Sequence, residues 1–182
     1  TQITSELQFL DMPNVKLTVD FKKTPLRVNG KDEVEFFIST NPGEPPKPIS
    51  KIASGGELSR IMLAIKNALA DKDNVPTLIF DEVDTGISGR AAQKIALKLG
   101  EISHRKQTLC VTHLPQLAAM GDHHLLIKKS LSEEYTFTDV FSLTEEERVS
   151  ELARMLSGDA ITELSMQNAA ELLERAAANK KK

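Results

Sequence analysis

The chain has one cysteine, no tryptophan, one tyrosine and no long apolar run. Each absence excludes something. A single thiol, Cys110, allows neither an internal disulfide nor a paired-cysteine metal site, and it suits a reducing cytosol. With aromatics at 4%, the rows of rings that stack single-stranded bases are missing. No apolar stretch approaches the roughly 18 residues of a membrane span, and the opening residues do not read as a charged-then-apolar leader. A net charge of −3 leaves no whole-chain footprint for DNA. Also missing is any GxxxxGK[ST] stretch. Residues 41–51 hold one glycine and four of the eight prolines, and cannot cradle a phosphate. There is no initiator Met, and Leu7-Gln8-Phe9-Leu10 reads as mid-chain sequence, so a fragment of a longer protein is expected.

What is present reads as an α/β chain long enough for one sizeable core. Val15, Leu17, Val19 and Phe21, then Val34, Phe36 and Ile38, alternate in strand fashion about an Asn29-Gly30 turn signal. The proline-rich stretch after them can be neither helix nor central strand. Leu58, Ile61, Met62, Ile65 and Leu69 recur at helical spacing. A short apolar strand over 77–80, a helix marked by Ala92, Ile95, Leu99 and Ile102, and a second apolar strand over 108–112 follow. Strands without alternation imply parallel pairing buried on both faces. Two more strands, 124–128 and 135–141, form a hairpin around a polar turn at 130–134. The tail is helical, with stripes at Val149, Leu152, Ala153 and Leu156 and at Ala169, Leu172, Leu173 and Ala176, broken at Ser157-Gly158-Asp159. Glu171 and Arg175 stand one turn apart and can pair, worth about 0.2–0.5 kcal/mol. Lys180-Lys181-Lys182 reads as a solvated end.

Two short motifs carry chemistry. Ser54-Gly55-Gly56-Glu57 opens the first long helix as a capping box, Ser54 with Glu57 three residues on. Its glycines have no side chains, so their amides, the Ser54 hydroxyl and the positive helix end can also close around an anion. Helix capping alone is the plainer alternative. About 25 residues on, the 77–80 strand ends in Asp81-Glu82, at the edge where open α/β sheets bind ligands. Neighbouring strand residues point to opposite sides, so the two carboxylates take different jobs. Asp81 suits Mg²⁺ held through its water shell, and Glu82 suits taking a proton from an attacking water. The plainer alternative is an N-cap pair for the next helix. His113, after the second apolar strand, can hydrogen-bond a phosphate or water, or simply cap a turn. His104, His123 and His124 read as structural, and Cys110 as a buried small apolar residue.

Ser54-Gly55-Gly56-Glu57, Asp81-Glu82 and His113 come in the order signature motif, Walker B, switch histidine. This resembles the C-terminal lobe of ABC-type P-loop ATPase heads, over roughly residues 15–145. The wider wording, from Lys51 to Arg60, from Phe80 to Gly89 and from Val111 to Ala118, is similar to the RecN family of bacterial DNA-repair ATPases, relatives of the chromosome-maintenance (SMC) proteins. The helical segment from Thr144 onward looks like the same family.

The resemblance implies a parallel-sheet core flanked by helices, with an added β-hairpin and C-terminal helices. Residues 1–14 would be the end of a coiled coil re-entering the head, 15–145 the lobe itself and 146–182 its helical tail. It implies ATP and Mg²⁺ as cofactors. Two heads close on two ATP molecules, Ser54, Gly55, Gly56, Glu57 and Asp84 touching the nucleotide in trans, and Asp81, Glu82 and His113 acting in cis. Asp81 is the metal-side carboxylate; Glu82 and His113 are the catalytic pair. The implied partners are the N-terminal Walker A lobe, a second head and DNA, with no membrane. The implied role is double-strand-break repair by recombination in the bacterial cytoplasm, associated with the nucleoid. Ser88 stands where many members place an aspartate, and the glutamine loop of the superfamily has no counterpart here.

Two other readings belong beside this one. A transporter ATPase subunit normally carries Walker A and signature on one stretch, and only about 50 residues precede the signature here. A non-catalytic DNA- or protein-binding module would rest on Lys16, Lys22, Lys23, Arg27 and Lys31, which also read as a solvated strand face. Steep salt dependence of DNA binding distinguishes it.

Overall fold

The computed structural model describes residues 2–180 apart from 53, 73 and 132–134. The chain divides into two compact units, Thr1–Val111 and Thr112–Lys182.

The first unit begins with α1 (Gln2–Phe9), which buries Leu7 and is followed by the buried Leu10. Its Glu6 meets Lys98 at 3.1 Å and accepts from Asn67 at 3.1 Å, while Lys98 also bonds Glu101 at 2.7 Å. Burial works against the Lys98 ammonium, but its bonds to Glu101 and Glu6 outweigh it and hold its pKa up. The Phe9 ring lies 4.9 Å from the same ammonium. Residues ahead of the strands are thus tied to the helices behind them.

β1 (Lys16–Arg27) and β2 (Gly30–Ser39) form the expected antiparallel hairpin, with Leu17 opposite Ile38, Val19 opposite Phe36 and Phe21 opposite Val34. Its closing pair is Arg27 with Gly30, so the loop is Val28-Asn29, one residue earlier than the turn signal. Gly30 has φ +104°, which glycine alone adopts without strain. The proline stretch ends in a two-residue edge strand, β3 (Lys47–Pro48), paired to β2; an edge is where a residue without an N–H is tolerated.

The next elements are α2 (Gly55–Ala68), β4 (Thr77–Phe80), α3 (Gly89–Ser103) and β5 (Gln107–Cys110). β4 and β5 pair in parallel, Thr77 with Gln107 through Phe80 with Cys110. Ile61, Leu63 and Ala64 of α2, Leu78 and Phe80 of β4, and Ala92, Ile95 and Ile102 of α3 are buried. The expectation of strands buried on both faces is corrected here. Ile79 is 71% exposed and its partner Leu109 42%. An apolar strand without alternation needs a layer on each side, and among the described residues this unit covers one side only.

The second unit holds α4 (Pro115–Met120), a hairpin of β6 (Leu125–Leu131) and β7 (Thr136–Ser142), α5 (Glu145–Ser157) and α6 (Glu163–Lys180). α4, α5 and α6 meet around Ala119, Leu152, Ala153, Ala169 and Ala176. Four of these five are alanines, which let helix backbones approach closely. Thr144 and Glu147 form a full capping box before α5, and Gly158 ends that helix at φ +71°. The Glu171–Arg175 pair forms. Six-residue α4 was not foreseen, being too short to show a period. The hairpin turn expected at 130–134 falls partly on 132–134, outside the described residues, as do Lys181 and Lys182.

Candidate functional site: a glycine turn against an acidic strand end

α2 starts at a cap. Ser54 is extended (φ −90°, ψ 117°), its Oγ accepts the Glu57 amide at 3.4 Å, and its carbonyl accepts the Leu58 amide at 3.0 Å. Among the described residues this half of the expected capping box is formed, and the Glu57 carboxylate lies within electrostatic reach of Arg60. Ser54 and Gly55 are exposed; Gly56 is buried.

β4 ends at Phe80, and the chain turns sharply after it. Asp81 Oδ1 accepts the Glu82 amide at 2.9 Å. Glu82 then sits in the left-handed region at φ +57°. That conformation costs a non-glycine residue roughly 1–3 kcal/mol and is concentrated at functional sites. The Thr85 amide donates to the Glu82 carbonyl at 3.1 Å, and the Ile87 amide to the Asp84 carbonyl at 3.4 Å, folding the loop on itself.

The turn and the acidic end converge. A Cβ on Gly55 would collide with Glu82 Oε2, and one on Gly56 would lie 2.8 Å from the Thr85 carbonyl oxygen. Gly56 is therefore required by its close approach to backbone, whereas at Gly55 the end of the Glu82 side chain can swing aside. Ser59 Oγ donates to the Asp81 carbonyl at 2.7 Å, and Arg60 Nη1 to the Thr85 carbonyl at 3.0 Å. Sequence reasoning missed Ser59, Arg60 and Thr85. One signal was available: Gly56, Arg60, Leu63 and Ala64 share the buried face of α2, and a charged residue on an apolar stripe needs a partner. Burial pulls the Arg60 pKa down, opposed by Glu57 and then Asp11.

Asp84, the candidate trans contact to nucleotide, is 2% exposed in this unit. It acts on Cys110. Burial first, then the charges of Asp84 and Asp81, push that thiol up to about 12. Alkylation of Cys110 by iodoacetamide at pH 8 is accordingly expected to run about 10³-fold slower than for the urea-unfolded chain, because the thiolate fraction falls tenfold per pKa unit. Equal rates in the two states would contradict the raised pKa of this half-buried thiol.

Ser88 precedes α3 with extended backbone and no side-chain cap. His113 is exposed and opens the second unit; ahead of α4, Thr112 Oγ1 accepts the Leu114 amide at 3.0 Å. His104 is the C-cap of α3. His124 is half-buried, with Nδ1 buried and unpaired, and burial followed by the Arg148 charge holds its pKa down. The first unit thus brings the Ser54-Gly55-Gly56 turn against the Asp81-Glu82 end, with Gly55 at the Glu82 carboxylate, while Asp84 is buried.

Among the described residues no group of three or more His, Cys, Asp or Glu is placed to hold a metal ion. A single carboxylate such as Asp81 fits a cation that keeps most of its water. Beside it runs a shallow groove of about 390 Å³ whose walls include Leu58, Met62, Ile79, Phe80 and Asp81. No helix of the described residues is long and apolar enough to cross a membrane.

No family model matches the chain. It is 50% identical over 179 residues to the DNA repair protein RecN of Halalkalibacterium halodurans, covering 96% of this chain and 32% of that protein. To the RecN of Bacillus subtilis it is 51% identical over 158 residues, covering 87% and 27%. The match lies in the C-terminal part of RecN, and the chain spans about a third of the length of these curated relatives. Among solved structures, the Smc head domain with coiled coil and joint from Pyrococcus yayanosii superposes with a TM-score of 0.58 at 20% identity, over 97% of this chain and 28% of that one. An SMC ATPase structure described for ATP-driven dimerisation and DNA-stimulated activation gives 0.52 at 20%, over 87% and 91%. The fold is that of SMC-type ATPase heads.

Proposed function

We propose that this chain, similar over nearly its whole length to the C-terminal part of RecN, is the C-terminal half of an SMC-like ATPase head acting in DNA double-strand-break repair by recombination. The observation that carries the reading is the close approach of the Ser54–Gly56 turn to the acidic strand end, with Gly55 against the Glu82 carboxylate and Gly56 against the Thr85 carbonyl. At the start of α2 the Gly55 and Gly56 amides carry no side chain that would keep a phosphate away.

In the assembled head, Ser54 Oγ and the Gly55 and Gly56 amides would face the γ-phosphate of a nucleotide held by a second head. Asp81 would hold the water shell of Mg²⁺ on its own side. Glu82, the last carboxylate of the strand end, would orient the attacking water and take its proton at Oε. His113 would hydrogen-bond the γ-phosphate of the nucleotide on its own side. Bound ATP with Mg²⁺ supplies the phosphoanhydride to be cleaved and a cation to spread its charge. This chain has no phosphate-cradling loop, so the partner carrying it must come from the remaining part of a RecN-type protein. The open face around Ile79 and Leu109, with its groove ending at Asp81, is where we place that lobe. DNA, a cytoplasmic location and association with the nucleoid follow from the same reading.

The test is ATP turnover by this chain alone and with the preceding two-thirds of Halalkalibacterium halodurans RecN. Turnover only in the combination supports a split site. Turnover by the chain alone, or none although the two parts associate, rejects it.

A further inference from the structure

Ser59 and Arg60, one turn into α2, belong to neither motif, yet both reach across to the loop after β4. Ser59 Oγ donates to the carbonyl of Asp81, the loop's first residue, at 2.7 Å, and Arg60 Nη1 donates to the carbonyl of Thr85 at 3.0 Å. The two bonds bracket the strained residue of the loop, Glu82 at φ +57°, whose carboxylate already rests against Gly55. Gly56 closes the same gap from below, with no room for a Cβ beside Thr85. Arg60 is only 9% exposed, and a guanidinium taken out of water must be held by acceptors. The acceptor found for it is the Thr85 carbonyl of that loop.

We propose that Ser59 and Arg60 are positioning residues that strap the 81–85 loop to the first turn of α2, so that an anion engaged by Ser54, Gly55 and Gly56 sets where the Glu82 carboxylate points. The inference rests on the ATPase-head reading for its consequence. In a two-head assembly the turn serves one nucleotide and the acidic pair the other. The strap then links the two nucleotide sites through a single chain, and a phosphate arriving at Gly55 displaces or reorients the carboxylate that leans on it.

The experiment has two arms. By hydrogen exchange in this chain, Ser59→Ala and Arg60→Met are expected to speed exchange of the Thr85 and Ile87 amides at least tenfold, with β5 and the middle of α3 unchanged, and Ser59→Thr is expected to restore protection. In the combination with the RecN N-terminal part, the same two variants are expected to lower kcat about tenfold while KM for ATP stays within twofold. Unchanged exchange overturns the strap whatever the assembled protein does. Faster exchange with unchanged kcat overturns the positioning role. Absence of turnover in the unsubstituted combination overturns the ATPase reading instead, and the exchange arm then decides the strap alone. Should Arg60→Met fail to fold, Ser59→Ala removes a single oxygen and carries both arms.

Discussion

Glu82→Gln in the assembled head is expected to lower steady-state ATP turnover by about 10²–10⁴-fold, the usual contribution of a positioned general base. Glutamine keeps the size and shape of the side chain, so the contact with Gly55 and the left-handed turn survive while the proton acceptor is lost. Nucleotide affinity is expected to change little, because the carboxylate acts on water rather than on the nucleotide. ATP-dependent association of heads should persist, since only its release by hydrolysis is removed. The measurement is phosphate release together with light scattering of the ATP-bound state. A variant retaining more than a tenth of the turnover would take the base role away from Glu82, and His113→Ala would be the next variant to measure. A variant unable to associate with ATP would show that Glu82 acts in binding.

Leu152→Ala is expected to destabilise the chain by about 2–5 kcal/mol in urea unfolding. Leu152 is fully buried in the second unit, among Ala119, Ala153, Ala169 and Ala176. It is the one large side chain in that buried set, and alanines cannot swing in to refill the space it leaves. Leu152→Met keeps most of the volume and should cost under about 1.5 kcal/mol. A loss below 1 kcal/mol for alanine would mean that Val149, Met155 and the leucines of α6 collapse onto the gap. Folding stability and ATP chemistry are read by separate experiments, so neither result depends on the other.

Much of the architecture was legible in the residues. The helical period from Leu58 to Leu69, the bare apolar run of β4 and its termination at Asp81-Glu82 are local properties, and each element formed where its pattern lies. α4 was not legible, because six residues do not complete two turns. The half-open sheet was not legible either. A strand that is apolar on both sides announces two covering layers but cannot say that this unit supplies only one of them.

At the site the division is sharper. Residue type alone gave a glycine turn able to meet an anion and a carboxylate pair able to hold a hydrated cation and activate water, because those capacities belong to short stretches of backbone and side chain. Tertiary structure decided how they meet. It set Gly55 against Glu82, placed Gly56, Ser59 and Arg60 on the carbonyls of the following loop, and sank Asp84 beside Cys110. Those contacts join residues separated by more than twenty positions, and their geometry depends on how α2 packs beside the end of β4. No window of sequence contains that packing. The physical reason is the range of the forces. Propensity and capping act over a turn or two of chain, whereas close approach and burial are settled only when distant segments share one core.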